Sequence, residues 1–529
     1  MTNLYLLRVQ LENDYKHTFY FSSQAEQKNY FDSLITSEGT FTDFSYQRKE
    51  GVVRVPLSYE KCLKYNYVMY QNEDKWFYAF ITKYEFKGED STYLTIQTDV
   101  IQTWLFDYNV LTSFIEREHV NDDTIGLHTV PENLEMGEYE TTHVEIVEAL
   151  RNNLKIVVGA TESWNGQSGD YYPNSDDPIP ETLGGKIYNG IYSGIKYYCI
   201  DKDEYEKVND FLWQYDHAGI NDSLKCMFIA PEFITKSTDK GHILEDCDNV
   251  SHSNRIYFEL DKTHMGSLYT PRNNKLNCYP YKYLLASNNA GGSAIYQFEH
   301  FSTEKCKFDV IGALTPGCSI RMIPKDYKRV AYNDEEGLNL GKYPILNWTS
   351  DEYTNWLTQN SVNMGINLVT GVGQTVGGAI AFAATAGTSA AISAGVVVSG
   401  VNQIINTLTQ VHQMSFTPPQ SQGNINCGDV ICSSGRNTFY FYYMSIKSEF
   451  LRIIDNFFDM YGYKANRVKI PNKNHRSRYW FTKTIDVNIK SSTIPLDDLN
   501  KIKDCYNNGI TFWKDKTSFK DYTALNSIL

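Results

Sequence analysis

The chain lacks any arrangement of cysteine that makes a site. Cys62, Cys199, Cys226, Cys247, Cys278, Cys306, Cys318, Cys427, Cys432 and Cys505 include no C-x-x-C pair and no Cys/His grouping at zinc spacing. They read as mostly free thiols in a protein folded in a reducing cytoplasm, with no metal and no cofactor. A basic excess is lacking too. Asp+Glu 63 against Lys+Arg 49 leaves a formal charge of -14, the opposite of the basic face that a static nucleic-acid binder carries. An acidic wall still suits a conduit, because it repels phosphate and lets DNA pass without the counterion release that drives tight binding. The opening "MTNLYLLRVQLENDYKHTFYF" has no basic region followed by an apolar one, so no secretory signal is expected and synthesis should end in the cytosol.

Catalytic motifs are also missing. No H-E-x-x-H, G-x-S-x-G, Walker A or Cys-His constellation stands in a credible context. The cluster "EREH" gathers Glu116, Glu118 and His119 at a strand end, but spacing alone names no acid/base pair, and such charges are usually solvated or paired across subunits. "GVGQTVGG" is no dinucleotide fingerprint, since no strand precedes it and no acidic residue follows at the required distance. An enzyme is therefore not expected.

What is present is aromatic. Forty Tyr, 27 Phe and 8 Trp favour pleated, half-buried surfaces, which points to β structure. At 529 residues the chain exceeds one ordinary core, and about three or four domains are expected. Residues 1–158 read as a β-rich module, with "EFKGEDSTYLTIQ" as a hairpin and one helix at "SSQAEQKNYFDSLI", capped by Ser22 or Ser23 with Tyr30, Phe31 and Leu34 on one face. Residues 159–270 open on the loop-like "GQSGDYYPNSDDPIPETLGG" and read as an α+β insert, with strands at "GIYSGIKYYCI" and "LKCMFIAP" around a helix at "DEYEKVNDFLWQYDHAG". Residues 271–352 and 429–529 read as two parts of a second β-rich module. A turn is expected at Asn288 to Gly292, a helix near Ser350, a strand at "TFYFYYMSI", and a short helix closed by Asn508-Gly509. "KSEFLRIIDNFFDMYG" predicts an amphipathic helix with Phe450, Ile453, Ile454, Phe457, Phe458 and Tyr461 on its apolar face and Gly462 as the stop. "RVKIPNKNHRSRYW" is the one basic, aromatic-interleaved patch. Its Arg467, Lys469, Lys473, Arg476 and Arg478 are candidates for phosphate contacts, for intersubunit ion pairs or for a solvated hairpin.

From Tyr353 to Gly428 there is no Asp, Glu, Lys or Arg, in a chain that is 21% charged. Within this loop region, residues 371–400 would extend about 45 Å as a helix, more than a bilayer core requires. Their apolar content is marginal. Val376, Ile380, Phe382, Ile392, Val396, Val397 and Val398 contribute roughly -2 to -4 kcal/mol to insertion, and the Gly, Ser and Thr positions offset much of it. Small residues recur at every fourth place, at Gly371, Thr375, Ala379, Ala383, Gly387, Ala391, Gly395 and Ser399, beside the Gly373-x-x-x-Gly377 pair. That is a candidate stripe for helix packing in lipid, though so small-residue-rich a segment fills many spacings by accident. Three readings stand: a buried helix or hairpin in an oligomer's core, a permanent anchor without the usual flanking cations and aromatics, or a sheltered segment exposed on demand.

Several stretches in order, among them "NDYKHTFYFSS", "NYVMYQNEDKWFYAFIT", "DVIQTWLFDY", "SFIEREHV", "NGIYSGIKYY", "KLNCYPYKYLL", "TPPQSQGN", "FFDMYGYKANRVKIPN" and "NNGITFWKD", resemble the tail-knob, or distal tail-tube, protein of small short-tailed bacteriophages that infect Gram-positive bacteria. The match is weakest between about 160 and 270. The resemblance implies a β-rich α+β subunit with tube-forming, barrel-like modules, assembled into a six-membered ring at the virion's distal tail tip. It implies loops, here about Asn363 to Gln413, that plug the lumen and then enter the host cell membrane to open a path for viral double-stranded DNA. Other tail and collar proteins are the implied partners, and no family catalytic residue exists to carry over. Two other functions stay open: an adhesin knob that binds cell-wall carbohydrate, and an enzyme attacking peptidoglycan.

Overall fold

The computed structural model describes residues 2–44, 51–152, 154–160, 187–188, 191–192, 196–201, 208, 224–235, 254–265, 269–314, 317–347 and 436–529. Strands dominate them, as the aromatic content predicts. The chain divides into two compact units. The first comprises Met1–Glu138, Leu268–Tyr281 and Ile446–Leu529, and the second Tyr139–Ser267 and Lys282–Ser445. The chain thus passes from one unit to the other four times, and the first unit is assembled from three separate stretches. Main-chain bonds tie its ends where the chain leaves and returns: Lys447 N–H donates to the Glu138 carbonyl at 2.9 Å, and Ile446 N–H to that of Tyr281 at 3.1 Å.

The first unit contains a six-stranded antiparallel sheet in the order Thr40–Phe44, Thr2–Leu7, Tyr67–Asn72, Lys75–Gly88, Ser91–Thr98, Gly51–Val55. The expected hairpin is there, turning through Glu89 and Asp90 between Gly88 and Ser91. Strand alternation sends successive side chains to opposite faces. Val68, Tyr70, Ala79 and Ile81 therefore join one apolar cluster, while Tyr67, Met69, Tyr78 and Phe80 join another. The second cluster is shared with a five-stranded sheet, ordered His17–Phe19, Ile510–Trp513, Tyr479–Ile485, Ser113–Glu118, Tyr463–Lys469, through Tyr479 and Trp513. Only the His17–Phe19 pairing in it is parallel. The helix Gln24–Asp32 adds Phe31 to the same cluster; Ser23 caps it, accepting from Glu26 N–H. Asp99 caps Val100–Trp104, and the helix Leu496–Asn508 ends at Gly509 before its strand, as expected.

The helix Ser448–Tyr461 forms where the sequence predicts it, but its buried face is Leu451, Ile454, Asp455 and Phe458. Ile453 is 65% exposed, and Phe450, Phe457 and Tyr461 are half-buried. Apolar spacing alone set the expected face, and a carboxylate occupying a core position rotates the true one. Gly462 ends the helix at φ 65°, ψ -155°, and a Cβ there would lie 2.1 Å from the Glu118 carbonyl oxygen.

In the second unit the sheets are Tyr139–Ile146, Tyr440–Ile446, Lys282–Ser287, Ser293–Tyr296; then Lys196–Asp201, Leu154–Ala160, Leu224–Pro231, Ile345–Asn347; then Asn254–Asp261, Lys305–Ala313, Ser319–Tyr327 and Val330–Tyr332, with Leu338–Asn339 also on Ser319–Tyr327; and the pair Ile187–Tyr188 and Ile191–Tyr192. The 159–270 stretch, expected as an insert, shares its larger sheets with strands outside it, because Leu154–Ala160, Ile345–Asn347 and Lys305–Ala313 supply the main-chain partners its strands need. One apolar cluster runs from Val147 to Tyr443. The seven cysteines among the described residues are all buried free thiols. Of the helix expected at "DEYEKVNDFLWQYDHAG" only Val208, helical and buried, is among the described residues, and the helix expected near Ser350 lies outside them.

Candidate functional site

The strand Ser113–Glu118 lies between Tyr479–Ile485 and Tyr463–Lys469, so both of its edges are paired and its charged residues must find partners on neighbouring strands. Glu116 pairs with Lys483 at 2.9 Å. Buried Glu118 pairs with Lys469 Nζ at 2.5 Å and accepts from Asn472 N–H at 2.8 Å. Arg117 donates to the Gly462 carbonyl at 2.7 Å, ion-pairs with Glu132 and lies over the Phe457 ring. His119 is buried. Its Nδ1 accepts from Phe481 N–H at 2.7 Å, so its Nε2–H donates to the Asp459 carbonyl at 2.9 Å. Burial, with Arg476 and Arg117 nearby, pushes its pKa down to about 3. With its Nε2–H and its Nδ1 lone pair both taken by main-chain groups, the neutral imidazole is not placed to relay a proton at pH 7. Each member of "EREH" is thus engaged by partners within the chain, where the sequence alone predicts solvated charges or pairs across subunits.

The basic stretch is divided. Lys469 serves Glu118. Arg476 is buried, with Nε on the Val120 carbonyl and Nη1 on that of Asn526, both at 3.2 Å. Arg478 binds the Ala524 carbonyl at 2.9 Å and pairs with Asp521 at 3.5 Å. These two arginines fasten the C-terminal segment. Arg467 and Lys473 remain exposed.

A second polar centre was not singled out from the sequence. Asp455, fully buried, accepts from Tyr269 Oη at 2.6 Å, Arg272 N–H at 2.9 Å, Asn273 N–H at 3.1 Å and Asn273 Nδ2 at 2.8 Å. Burial, together with the Asp455 charge that accepts its hydrogen bond, pushes the Tyr269 hydroxyl up to about 12. Nearby, Glu132 joins Arg117 and Lys275 and accepts from Lys464 N–H at 2.9 Å. Asp123 accepts from Tyr463 Oη at 2.7 Å and Asn274 N–H at 2.9 Å. Asp123 and Glu132 thus tie the irregular run 119–138, and Asp455 ties its helix, to residues 269–281. The available signal was Asp455 itself, which sits four residues after Leu451 in line with the apolar stripe.

The uncharged loop region 353–428, with its membrane-active candidates Gly371, Gly373, Val376, Gly377, Ile380, Phe382, Gly387, Ile392, Val396, Val397 and Val398 and the small-residue stripe, lies outside the described residues. Among the described residues no helix is long and apolar enough to cross a membrane, and no group of His, Cys, Asp and Glu is placed to hold a metal ion.

A family model described as the C-terminal domain of tail knob protein gp9 of Bacillus phage phi29 matches residues 244–527, more than half of the chain. The chain belongs to the tail knob protein family. A second family model, the N-terminus of the caudoviral major tail protein, matches residues 2–109, which contain the whole six-stranded sheet. Tail knob protein gp9 of phage phi29 is 27% identical over 587 aligned positions, covering 97% of this chain and 96% of the relative; that of Bacillus phage B103 is 25% identical, covering 98% and 97%. The solved tail knob protein gp12 of bacteriophage C1 shares the fold, with a TM-score of 0.68 at 14% identity and full coverage of both chains. A tail knob protein is a structural component of the phage tail.

Proposed function

We propose that this tail knob protein forms, as a homohexamer, the distal tube of a short phage tail, and that its uncharged loops plug the lumen and then enter the host cell membrane to make a channel for genome ejection. The observation that carries the reading is the uncharged run from Tyr353 to Gly428 in a chain of this family that is 21% charged overall. Residues 371–400 are long enough to span a bilayer and too weakly apolar to insert alone. Six copies brought together gain lateral packing between small-residue helices, so assembly supplies what one segment lacks. The acidic balance suits a wall that DNA must leave behind. On this reading the partners are other copies of the chain, other tail and collar proteins, host membrane lipid and, in transit, double-stranded DNA. The protein on this reading carries no enzymatic activity, and exposed Arg467 and Lys473 are the candidates from the basic stretch for contact with a neighbouring subunit or phosphate.

The test is dye release from liposomes by the full chain and by a variant lacking 371–400, with electron microscopy of both. Rings or tubes from both, with release only from the full chain, is the expected result. Equal release from the two would overturn the channel and leave the tube standing.

A further inference from the structure

We propose that a cleft in the first unit is a saccharide-binding subsite that takes a hexose ring and prefers one bearing an anionic group. The cleft has a volume of about 270 Å³, near the lower end for small-ligand pockets. Its floor is aromatic and mostly buried: Trp480 and Phe512, core residues like Tyr108 and Tyr506, stack with ring centroids 5.4 Å apart, and half-buried Tyr20 stands edge-on to Trp480 at 4.8 Å. Phe106, 38% exposed, offers a further ring at its edge.

Polar groups interleave with these rings. The hydroxyls of Tyr108 and Tyr506 lie 3.3 Å apart, and one of their two hydrogens is not used in that bond. Ser22, Asn109 and Lys473 line the cleft from exposed positions, and no carboxylate does. An acyl chain would call for a continuous apolar lining, and the interleaved hydroxyls and amide break it. A cationic ligand would call for a carboxylate, and a polyphosphate for several cations where there is one. A sugar ring presents an apolar C–H face to an aromatic ring and hydroxyls at its rim, which is the pattern of this lining. Lys473 adds a single cation for one anionic substituent. None of the lining residues falls within 353–428, so this subsite neither depends on the channel reading nor supports it.

The experiment is a titration of the full chain, followed by tryptophan fluorescence and saturation-transfer NMR, with N-acetylglucosamine and with N-acetylglucosamine 1-phosphate. Both sugars should give saturable responses, with the phosphorylated one binding about tenfold more tightly. Phe106→Ala should weaken both by about five- to tenfold. Lys473→Gln should abolish the preference for the phosphorylated sugar and leave the neutral one unchanged. Both substitutions are at exposed positions, and unchanged thermal melts would show that the fold persists. Absence of a saturable response to either sugar, or titration of Phe106→Ala indistinguishable from wild type, would overturn the subsite. A Lys473→Gln variant that keeps the phosphate preference would overturn the role given to the lysine.

Discussion

The two units solve the problem of burial differently. The described residues of the second unit gather their buried apolar side chains in one cluster, to which its three larger sheets contribute Phe441, Val157 and Phe308 among others. The first unit divides its apolar residues among three clusters, and it threads buried ionised or hydrogen-bonding groups, Asp455, Glu118, Glu132 and His119, through the segments it collects. The difference follows from how each is assembled. Three distant stretches of chain must find one another in the first unit, and apolar contact, being non-directional, does not specify which loop meets which. A buried carboxylate with four donors does, because an arrangement that leaves any of them unpaired is costly.

The comparison is broken most severely at Asp455. Replacing it with Leu keeps an apolar volume in the helix but strands the Arg272 and Asn273 N–H groups and the Tyr269 hydroxyl, at a cost of about 3–5 kcal/mol. The matched change in the second unit, Met322→Leu at a fully buried position, swaps one apolar shape for another at less than about 1.5 kcal/mol. Hydrogen–deuterium exchange resolved by unit checks both. Loss of protection in residues 119–138 and 269–281 is expected for the first variant and not for the second. Equal tolerance at the two positions would mean that the polar pins do not organise the first unit.

Gly462 tests the same junction from the backbone. Its φ of 65° and the 2.1 Å approach that a Cβ would make to the Glu118 carbonyl leave no room for a side chain. Gly462→Ala should cost about 2–4 kcal/mol, read as a lower denaturant midpoint, and should loosen the helix end against the strand Ser113–Glu118.

These positions also mark where the sequence was legible. The glycine stop, the hairpin at Glu89–Asp90, the Ser23 cap and the strand "LKCMFIAP" rest on local chemistry and stand as expected. The face of the Ser448–Tyr461 helix does not, because Asp455 owes its burial to Tyr269, Arg272 and Asn273, which lie 182 to 186 residues away. A partner at that separation leaves no trace in helical periodicity. Nor were the partners of "EREH" within the chain anticipated, because Lys469 and Lys483 lie 351 and 367 residues from the carboxylates they meet. The uncharged segment is the opposite case: its peculiarity is entirely one of composition, so the sequence displays it in full.

Acid should unsettle the first unit through His119. Its pKa of about 3 in the folded chain lies below the unfolded value of about 6.5. Between the two the unfolded chain binds the extra proton, so stability rises with pH across that window. The contribution is fully present above about 6.5 and is lost toward about 3, with a limiting slope of about 1.4 kcal/mol per pH unit. Urea midpoints measured from pH 7 down to pH 4 should fall less steeply for His119→Gln than for wild type. Parallel curves would show that the imidazole is not held neutral by its two main-chain partners.

The smallest effect separates exposure from chemistry. Ser23 Oγ accepts from Glu26 N–H at 3.2 Å, the same side-chain-to-backbone bond that Asp455 makes, but at an exposed helix start. Water can take the place of Ser23 there, as it cannot at Asp455. Ser23→Ala should therefore cost only about 1 kcal/mol, seen as faster amide exchange in Gln24–Asp32 with Phe31 still packed. A loss as large as that from Asp455→Leu would mean that hydrogen-bond chemistry alone, and not its burial, sets the strength of these pins.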